Sequence, residues 1–353
     1  MKKVILQDLA NKLGLSKALV SSVLNGNGDK IGISKQTQER VKKLAKEMNY
    51  RPNMIARALK TQEIKTIGLI VSDISNPFYS NMARGIEDEL AKQGYNLIIG
   101  STDENLDREA ELINILIEKG VDGFIISTSQ LSNKIIVQLH KERFPFVMID
   151  RHLSSVDCNY VVVDNHDGTR EGIEHLINHG FKKIAFFSIS PSHISTIRDR
   201  LLGYKNALKS SRIKGNRKLI CDIPFDKIDQ SVAENLKELL NPPHSIDAVF
   251  ASNNNIALSC LKYFNEKNIR VPQDIALISF DDIRLFEFSY PKITAIRQPV
   301  DAISYESVTL LLRDIKARIN STKFETKQIV LKTDLIVRES CGAVFQEKIK
   351  LKK

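Results

Sequence analysis

The fold class expected of this chain has two parts: a small all-α segment at the N-terminal side, then an α/β module of two doubly wound lobes, each built on a parallel sheet. Three observations carry that expectation. Apolar residues recur at helical spacing from Leu6 onward through Met48. From Lys65 the pattern changes to β-rich runs alternating with amphipathic ones, which is how βαβ units read in sequence. Positive charge, finally, is confined almost entirely to the first part. The chain has 353 residues with a formal charge of +10, and residues 1–65 hold 14 Lys or Arg against 5 Asp or Glu, a net of +9. The remaining 38 basic and 37 acidic residues nearly cancel. Such a division points to a polyanion as partner of the first part alone.

Composition closes several other routes. With 42% apolar and 27% charged residues the chain is globular, and its length suits two or three domains. The apolar run in Met1–Asp8 stops after three residues, too short for an export signal, so a cytosolic protein is expected. No stretch suits a bilayer-spanning helix. Cys158, Cys221, Cys260 and Cys341 show no zinc or redox spacing and are expected to be ordinary thiols, with no cofactor or metal.

Within the basic segment, Leu6, Leu9, Ala10 and Leu13 share one helical face, and Gly14 stands where a helix-ending residue with positive φ belongs. Ser16 then caps a second helix with Leu19, Val20 and Val23 inward. Two short helices joined so tightly describe a helix-turn-helix. The outer face of the second helix, Lys17, Ala18, Ser21, Ser22 and Asn25, is small and polar enough to enter a major groove. A third helix opens at Ser34 and carries Arg40, Lys42, Lys43 and Lys46 outward, toward phosphate. Beyond it, Asn53 can cap a two-turn helix in which Ile55 and Leu59 share a face; so short a helix forms only against a partner.

These residues resemble the lactose-repressor (LacI/GalR) family of transcription factors. The resemblance implies a hinge helix at 51–63 that docks in the minor groove, with Leu59 as a wedge between base pairs and Ala56 and Lys60 beside it. It assigns base reading to Lys17, Ala18 and Ser22. Two departures stand out: Ile5 replaces the usual threonine cap of the first helix, and Ser22 replaces the usual arginine. The loop Asn25–Ile33 is also longer than the family's.

The resemblance continues through the neutral remainder in Ile67-Gly68-Leu69-Ile70, Asp73-Ile74-Ser75-Asn76-Pro77-Phe78, Val121-Asp122-Gly123, Ile149-Asp150-Arg151, Ser279-Phe280-Asp281-Asp282 and Val337-Arg338-Glu339-Ser340. It implies a periplasmic-binding-protein-like module with a headpiece at 1–50. The expected N-terminal lobe takes 64–163 and 296–326, the C-terminal lobe 164–295 and 327–345, and a basic tail follows at 346–353. Ligands of such folds lie in the crevice at the strand ends. By resemblance Arg200 and Asp281 hold effector oxygens there. Strand-end residues Ser127, Asp150 and Asn253, with Asn76, and Phe78 stacked on an apolar face, complete a set suited to a sugar or sugar derivative. Where the family usually has Asn-Asp, this chain has Asn253-Asn254.

The expected function is therefore a ligand-controlled transcriptional repressor. It is a homodimer or higher oligomer on a pseudo-palindromic double-stranded DNA operator, with a carbohydrate effector and no membrane partner. The runner-up is a two-lobed sugar-binding protein without a DNA role. An enzyme is the more distant rival, with His166 beside Asp164 and Asp167, or His175 and His179, as metal ligands or general base. No dinucleotide fingerprint or phosphate-binding lysine loop supports it.

Overall fold

A computed structural model describes residues 4–50, 63–128, 134–190, 194–322 and 325–343, and the chain divides into two compact units, 1–64 and 65–353.

The first unit contains α1 (Leu6–Leu13), α2 (Lys17–Leu24) and α3 (Lys35–Glu47). Their shared core is small and tight: Leu9, Ala10, Val20, Val23, Val41 and Ala45 are buried, with Leu6, Leu13 and Met48 among the half-buried residues around them. Gly14 ends α1 at φ 68°, and Leu15 N–H returns to Ala10 O at 3.0 Å. That left-handed cap turns the chain straight into α2, whose first turn is closed by Ser16 Oγ accepting from Leu19 N–H at 3.2 Å. Ser34 does the same for α3, accepting from Thr37 N–H at 3.2 Å. Ile5 offers no side-chain acceptor, but Asp8 reaches back and accepts from Ile5 N–H at 2.9 Å, so α1 keeps the reverse half of a capping box.

The second unit has two six-stranded sheets. One contains β1 (Thr66–Val71), β2 (Asn96–Ser101), β3 (Gly123–Ile126), β4 (Phe146–Ile149), β5 (Asn159–Val163) and β11 (Gln328–Leu331) in the order β11-β5-β4-β3-β1-β2, all parallel. The other contains β6 (Ile184–Ser190), β7 (Ile220–Pro224), β8 (Ala248–Ala251), β9 (Ala276–Phe280), β10 (Thr294–Arg297) and β12 (Asp334–Ile336) in the order β12-β10-β9-β8-β6-β7. It is parallel except for β12, which runs against β10. The central strands β1, β3, β4, β8 and β9 are buried nearly throughout, as sheets covered on both faces require.

Helices follow the strands in turn: α4 (Pro77–Lys92), α5 (Leu106–Glu118), α6 (Lys134–Lys141), α7 (Asn165–Asn178), α8 (Ser195–Ser210), α9 (Ile228–Leu239), α10 (Asn254–Glu266), the short α11 (Leu285–Phe288) and α12 (Val300–Ile319). None of the described helices is long and apolar enough to cross a membrane.

The lobe boundaries expected from sequence need two corrections. Ile296 and Arg297 finish β10 and belong to the second sheet, while Gln328–Leu331, assigned above to the C-terminal lobe, pairs with β5 in the first sheet. The chain crosses back only after Leu331, and Asp334–Ile336 then joins β10. An apolar run at a sheet edge gives no sign of which sheet it will join. Helix α12 does belong to the first lobe: Ser304 Oγ sits 2.5 Å from where a Cβ on Gly85 would stand, so α4 and α12 touch closely there.

Candidate functional site

Two sites emerge, one on each unit. In the headpiece, Ser16, Lys17, Ala18 and Asn25 are exposed and Ser21 and Ser22 half-exposed, so these residues line the outer face of α2 as expected. Asn25 Nδ2 donates to Ser21 Oγ at 3.3 Å, pre-setting the polar end of that face. Arg40, Lys42, Lys43 and Lys46 on α3 are also exposed. Asn53, Ala56, Leu59 and Lys60 lie outside the described residues.

The longer loop after α2 is an ordered structure. It contains a single 3₁₀ turn at Asp29–Ile31, and Gln38 of α3 spans it, donating to Asp29 Oδ1 and to Ile33 O, each at 2.8 Å. The Gln38 amide occupies the space beside Gly28 where a Cβ would stand. Sequence reading saw the loop's length but not its anchor.

In the second unit, strand ends from both sheets meet at one crevice, lined by Asn76, Phe78, Asp150, Arg200, Asn253 and Asp281 among others. Six of the seven expected effector residues are thus brought together. Ser127 stands one step behind: its Oγ lies 3.3 Å from Asp150 Oδ2 and 3.2 Å from the Tyr79 hydroxyl.

The two aspartates occupy corresponding places. Asp150 directly follows β4 and Asp281 directly follows β9, both buried and both left-handed, at φ 61° and 69°. That conformation costs a non-glycine residue on the order of 1 kcal/mol and is held by its surroundings. Tyr79 O–H donates to Asp150 Oδ2 at 2.8 Å, and Gln298 Nε2 donates to Asp281 Oδ1 at 2.6 Å. Burial pushes the Asp281 carboxyl up to about 6, against the opposing pull of Arg200.

Arg200 is placed by a close helix contact. At Gly203, one turn further along α8, a Cβ would stand 2.3 Å from His166 O, so only glycine lets α8 approach α7 this closely. The approach brings Arg200 Nε to Asn165 Oδ1 at 2.8 Å and Nη1 to Ser252 O at 2.6 Å, with the guanidinium 3.6 Å from the Phe280 ring centroid. Its Nη2 lies 4.0 Å from Asp281 Oδ1. The family-like run Arg200-Leu-Leu-Gly203 therefore has a physical reason.

Residues that sequence reading missed are Tyr79, Glu104 and Arg151. Arg151 is buried and gripped at both ends of its fork by Glu104, at 2.8 and 2.7 Å. Arg151 follows Asp150 within a noted block, but Glu104 lies in a loop after β2, and nothing local in sequence signals the pair.

The lobes also touch across the crevice. Asn254 Nδ2 donates to Asn76 Oδ1 at 3.0 Å, and His152 N–H donates to Ser195 Oγ at 3.3 Å. Water-sized space at the base amounts to ≈ 50 Å³.

The residues considered for an enzyme have structural work. Asp164 caps α7 by accepting from Asp167 N–H at 2.8 Å, and His166 Nε2 meets Asn206 Nδ2 at 2.8 Å. His175 lies 3.2 Å from Cys341 Sγ, with its ring tilted against that of His179 at a centroid distance of 4.3 Å, and burial lowers the His175 pKa to about 4. Among the described residues there is no cluster of three or more His, Cys, Asp or Glu fit for a metal. The four cysteines are free and buried, and burial pushes the thiols of Cys158 and Cys221 up to about 12.

A helix-turn-helix headpiece with a basic third helix, carried on a two-lobed module whose strand ends enclose a polar crevice, defines a transcriptional regulator with its own sensing domain. The comparisons with known proteins agree. Residues 5–53 match "Bacterial regulatory proteins, lacI family", and residues 173–341 match "Periplasmic binding protein-like domain". The HTH-type transcriptional regulator RegA of Clostridium saccharobutylicum is 32% identical over 336 residues, covering 95% of this chain and 98% of that protein. The chain belongs to the lacI family of bacterial regulatory proteins. Among solved structures, a LacI family transcriptional regulator from Enterococcus faecium with bound ribose is 32% identical, with a TM-score of 0.68, over 78% of this chain and 98% of that one. The lac repressor dimer bound to operator and the anti-inducer ONPF shares the fold at a TM-score of 0.82, over 96% of this chain and 99% of that one, with 24% identity.

Proposed function

We propose that the chain is a cytoplasmic, homodimeric repressor whose affinity for a pseudo-palindromic operator is set by a sugar or sugar derivative bound in the crevice. The observation that carries this reading is the placement of Asp150, Asn253, Arg200 and Asp281 around one cleft, with Phe78 beside them. Carboxylates and amides that accept from hydroxyls, a guanidinium that donates, and an aromatic ring for the apolar face are what a sugar ring needs. The ribose bound to the Enterococcus faecium relative supports the ligand class.

Each headpiece would set α2 in a major groove, with Lys17, Ala18 and Ser22 toward base edges and Ser21 and Asn25 beside them. The first turns of α2 and α3, at Ser16 and Ser34, would face phosphate. Hinge segments, with Asn53, Ala56, Leu59 and Lys60, would open the central minor groove. Effector in the crevice changes the angle between lobes and so the fraction of dimer fit for operator, a coupling of about 1–3 kcal/mol. A second copy would cover Leu285, Phe288 and Tyr290, large apolar side chains exposed on one short stretch; Tyr290 is 93% exposed.

Genome-wide binding of the protein supplies the operator, and fluorescence anisotropy on that operator with the full chain, with and without a sugar panel, supplies the response. Arg200→Ala should bind operator as wild type does and lose the response to sugar. Retained response would sink the crevice assignment, and absence of sequence-specific DNA binding in the wild type would sink the regulator.

A further inference from the structure

Resting on the ligand reading above, we infer that the crevice takes an uncharged polyhydroxylated ligand and rejects the phosphorylated or carboxylated forms of the same sugar. The charges that line it lead there. Among the described lining residues, Asp73, Glu104, Asp150 and Asp281 stand against Arg151 and Arg200 alone, an excess of two carboxylates.

Neither guanidinium can offer an anion a fork of two terminal nitrogens, although Arg151 Nε has no hydrogen-bond partner of its own. A carboxylate or phosphate is best held by two parallel N–H groups of one arginine. Both terminal nitrogens of Arg151 are occupied by Glu104, and its Nε lies 3.5 Å from Asp150 Oδ2. Arg200 gives Nε to Asn165 and Nη1 to Ser252 O, leaving only Nη2, itself 4.0 Å from Asp281. The two free corners, Arg200 Nη2 and Arg151 Nε, sit on different guanidinium groups, so each can donate to a neutral hydroxyl or ring oxygen but neither forms a fork.

Helix dipoles pull the other way, and their size decides the balance. Three helices begin at the crevice. Asn76 Oδ1 occupies Phe78 N–H at the start of α4, and Asn253 Oδ1 occupies Ile256 N–H at the start of α10. Only α8, beginning at Ser195, has no side-chain cap. Each helix end is worth about half a unit charge and a neutral side-chain cap does not cancel it, so the three together come to about one and a half, against two whole carboxylates in excess. The lining carboxylates are also buried, Asp150 and Asp281 being each 5% exposed, so water screens an added negative charge beside them poorly.

The test uses matched pairs on the full chain: ribose with ribose 5-phosphate, and glucose with glucose 6-phosphate, read as shifts in melting midpoint at constant ionic strength. In the wild type the parent sugar of a binding pair should act at concentrations at least about tenfold lower than its phosphate. In Glu104→Gln, which releases the Arg151 fork, the gap should narrow or invert. A phosphate that outperforms its parent sugar in the wild type overturns the inference. If no sugar of either kind acts, the sugar reading itself fails, and the charge inference is read with inorganic phosphate alone. A larger stabilisation of Glu104→Gln than of wild type supports it, and an equal response overturns it. Should Glu104→Gln not fold, Asp150→Asn, which removes the carboxylate charge 3.5 Å from Arg151 Nε, takes its place under the same two outcomes.

Discussion

Across the crevice, Asn254 of one lobe donates its amide to the side-chain oxygen of Asn76 on the other, at 3.0 Å. That oxygen also accepts from Phe78 N–H at 3.0 Å, so the Asn76 amide cannot rotate without losing the cap of α4. The family's usual aspartate at position 254 would set acceptor against acceptor there. Asparagine turns the same place into a latch.

Asn254→Asp should therefore loosen lobe closure. A single interlobe hydrogen bond is worth about 1 kcal/mol, a factor of roughly five in the closed fraction. Effector affinity should fall by about that factor, and the radius of gyration of the ligand-free protein in solution scattering should rise. Unchanged affinity together with unchanged scattering would remove the latch.

If the proposed effector site is right, Asp281 should link effector binding to pH. Its carboxyl stands at about 6, above the ordinary value of 3.8, because burial outweighs the attraction of Arg200. The folded state therefore holds this proton more tightly than the unfolded one. Its contribution to stability is full below about pH 4 and is lost as pH rises through about 6. Asp314 is pushed up to about 6 as well, so the melting curve alone will not isolate Asp281. Effector affinity will. In the proposed site Asp281 would accept from ligand hydroxyls when ionised, so affinity should be flat from pH 8 to about 6.5 and then fall up to about tenfold per pH unit. In Asp281→Asn it should be lower and level across the range. A wild-type profile just as level would exclude Asp281 as an acceptor.

Gly28→Ala tests the headpiece loop. Gly28 has an ordinary helical φ of −56°, so alanine costs nothing in the backbone there. Its Cβ, however, would stand 2.4 Å from Gln38 Cδ. Gln38 must then swing away and lose its bonds to Asp29 and Ile33, at a cost of about 1–2 kcal/mol. Amide exchange in 25–33 should speed up several-fold while the α1–α2 core stays protected. Unaltered exchange would show that Gln38 does not anchor the loop.

What was legible in the sequence had local causes. The caps at Ser16 and Ser34 and the left-handed Gly14 are events within one turn, and the alternation of strands and helices follows from spacing alone. Asp150 could be found because it ends an apolar strand of the buried kind, whereas Asp281 was singled out by the family resemblance. The Glu104–Arg151 grip could not, since its partners come from loops after different strands and meet only when β2 and β4 are assembled. The sheet joined by Gln328–Leu331 was equally hidden, because the decision lies in where the chain crosses between lobes.

That crossing is secured by Asp282. Its buried carboxylate accepts from Arg338 at 2.8 and 2.9 Å and from Arg297 at 3.0 and 2.8 Å, tying the segment after β12 to the ends of β9 and β10. Arg338 is nearly buried and also donates to Ile293 O at 2.6 Å, whereas Arg297 is 47% exposed. The two arginines should therefore differ. Removing one partner of a buried pair costs about 3–5 kcal/mol, but an exposed guanidinium is largely screened by water. Arg338→Ala should lower the melting midpoint of the sensing module by several degrees, and Arg297→Ala by about a degree or less. Asp282→Asn should resemble Arg338→Ala, since it strands the buried cation. Equal losses for the two arginine variants would mean that burial does not set their worth, and that Asp282 holds the crossing by some contact other than this ion pair.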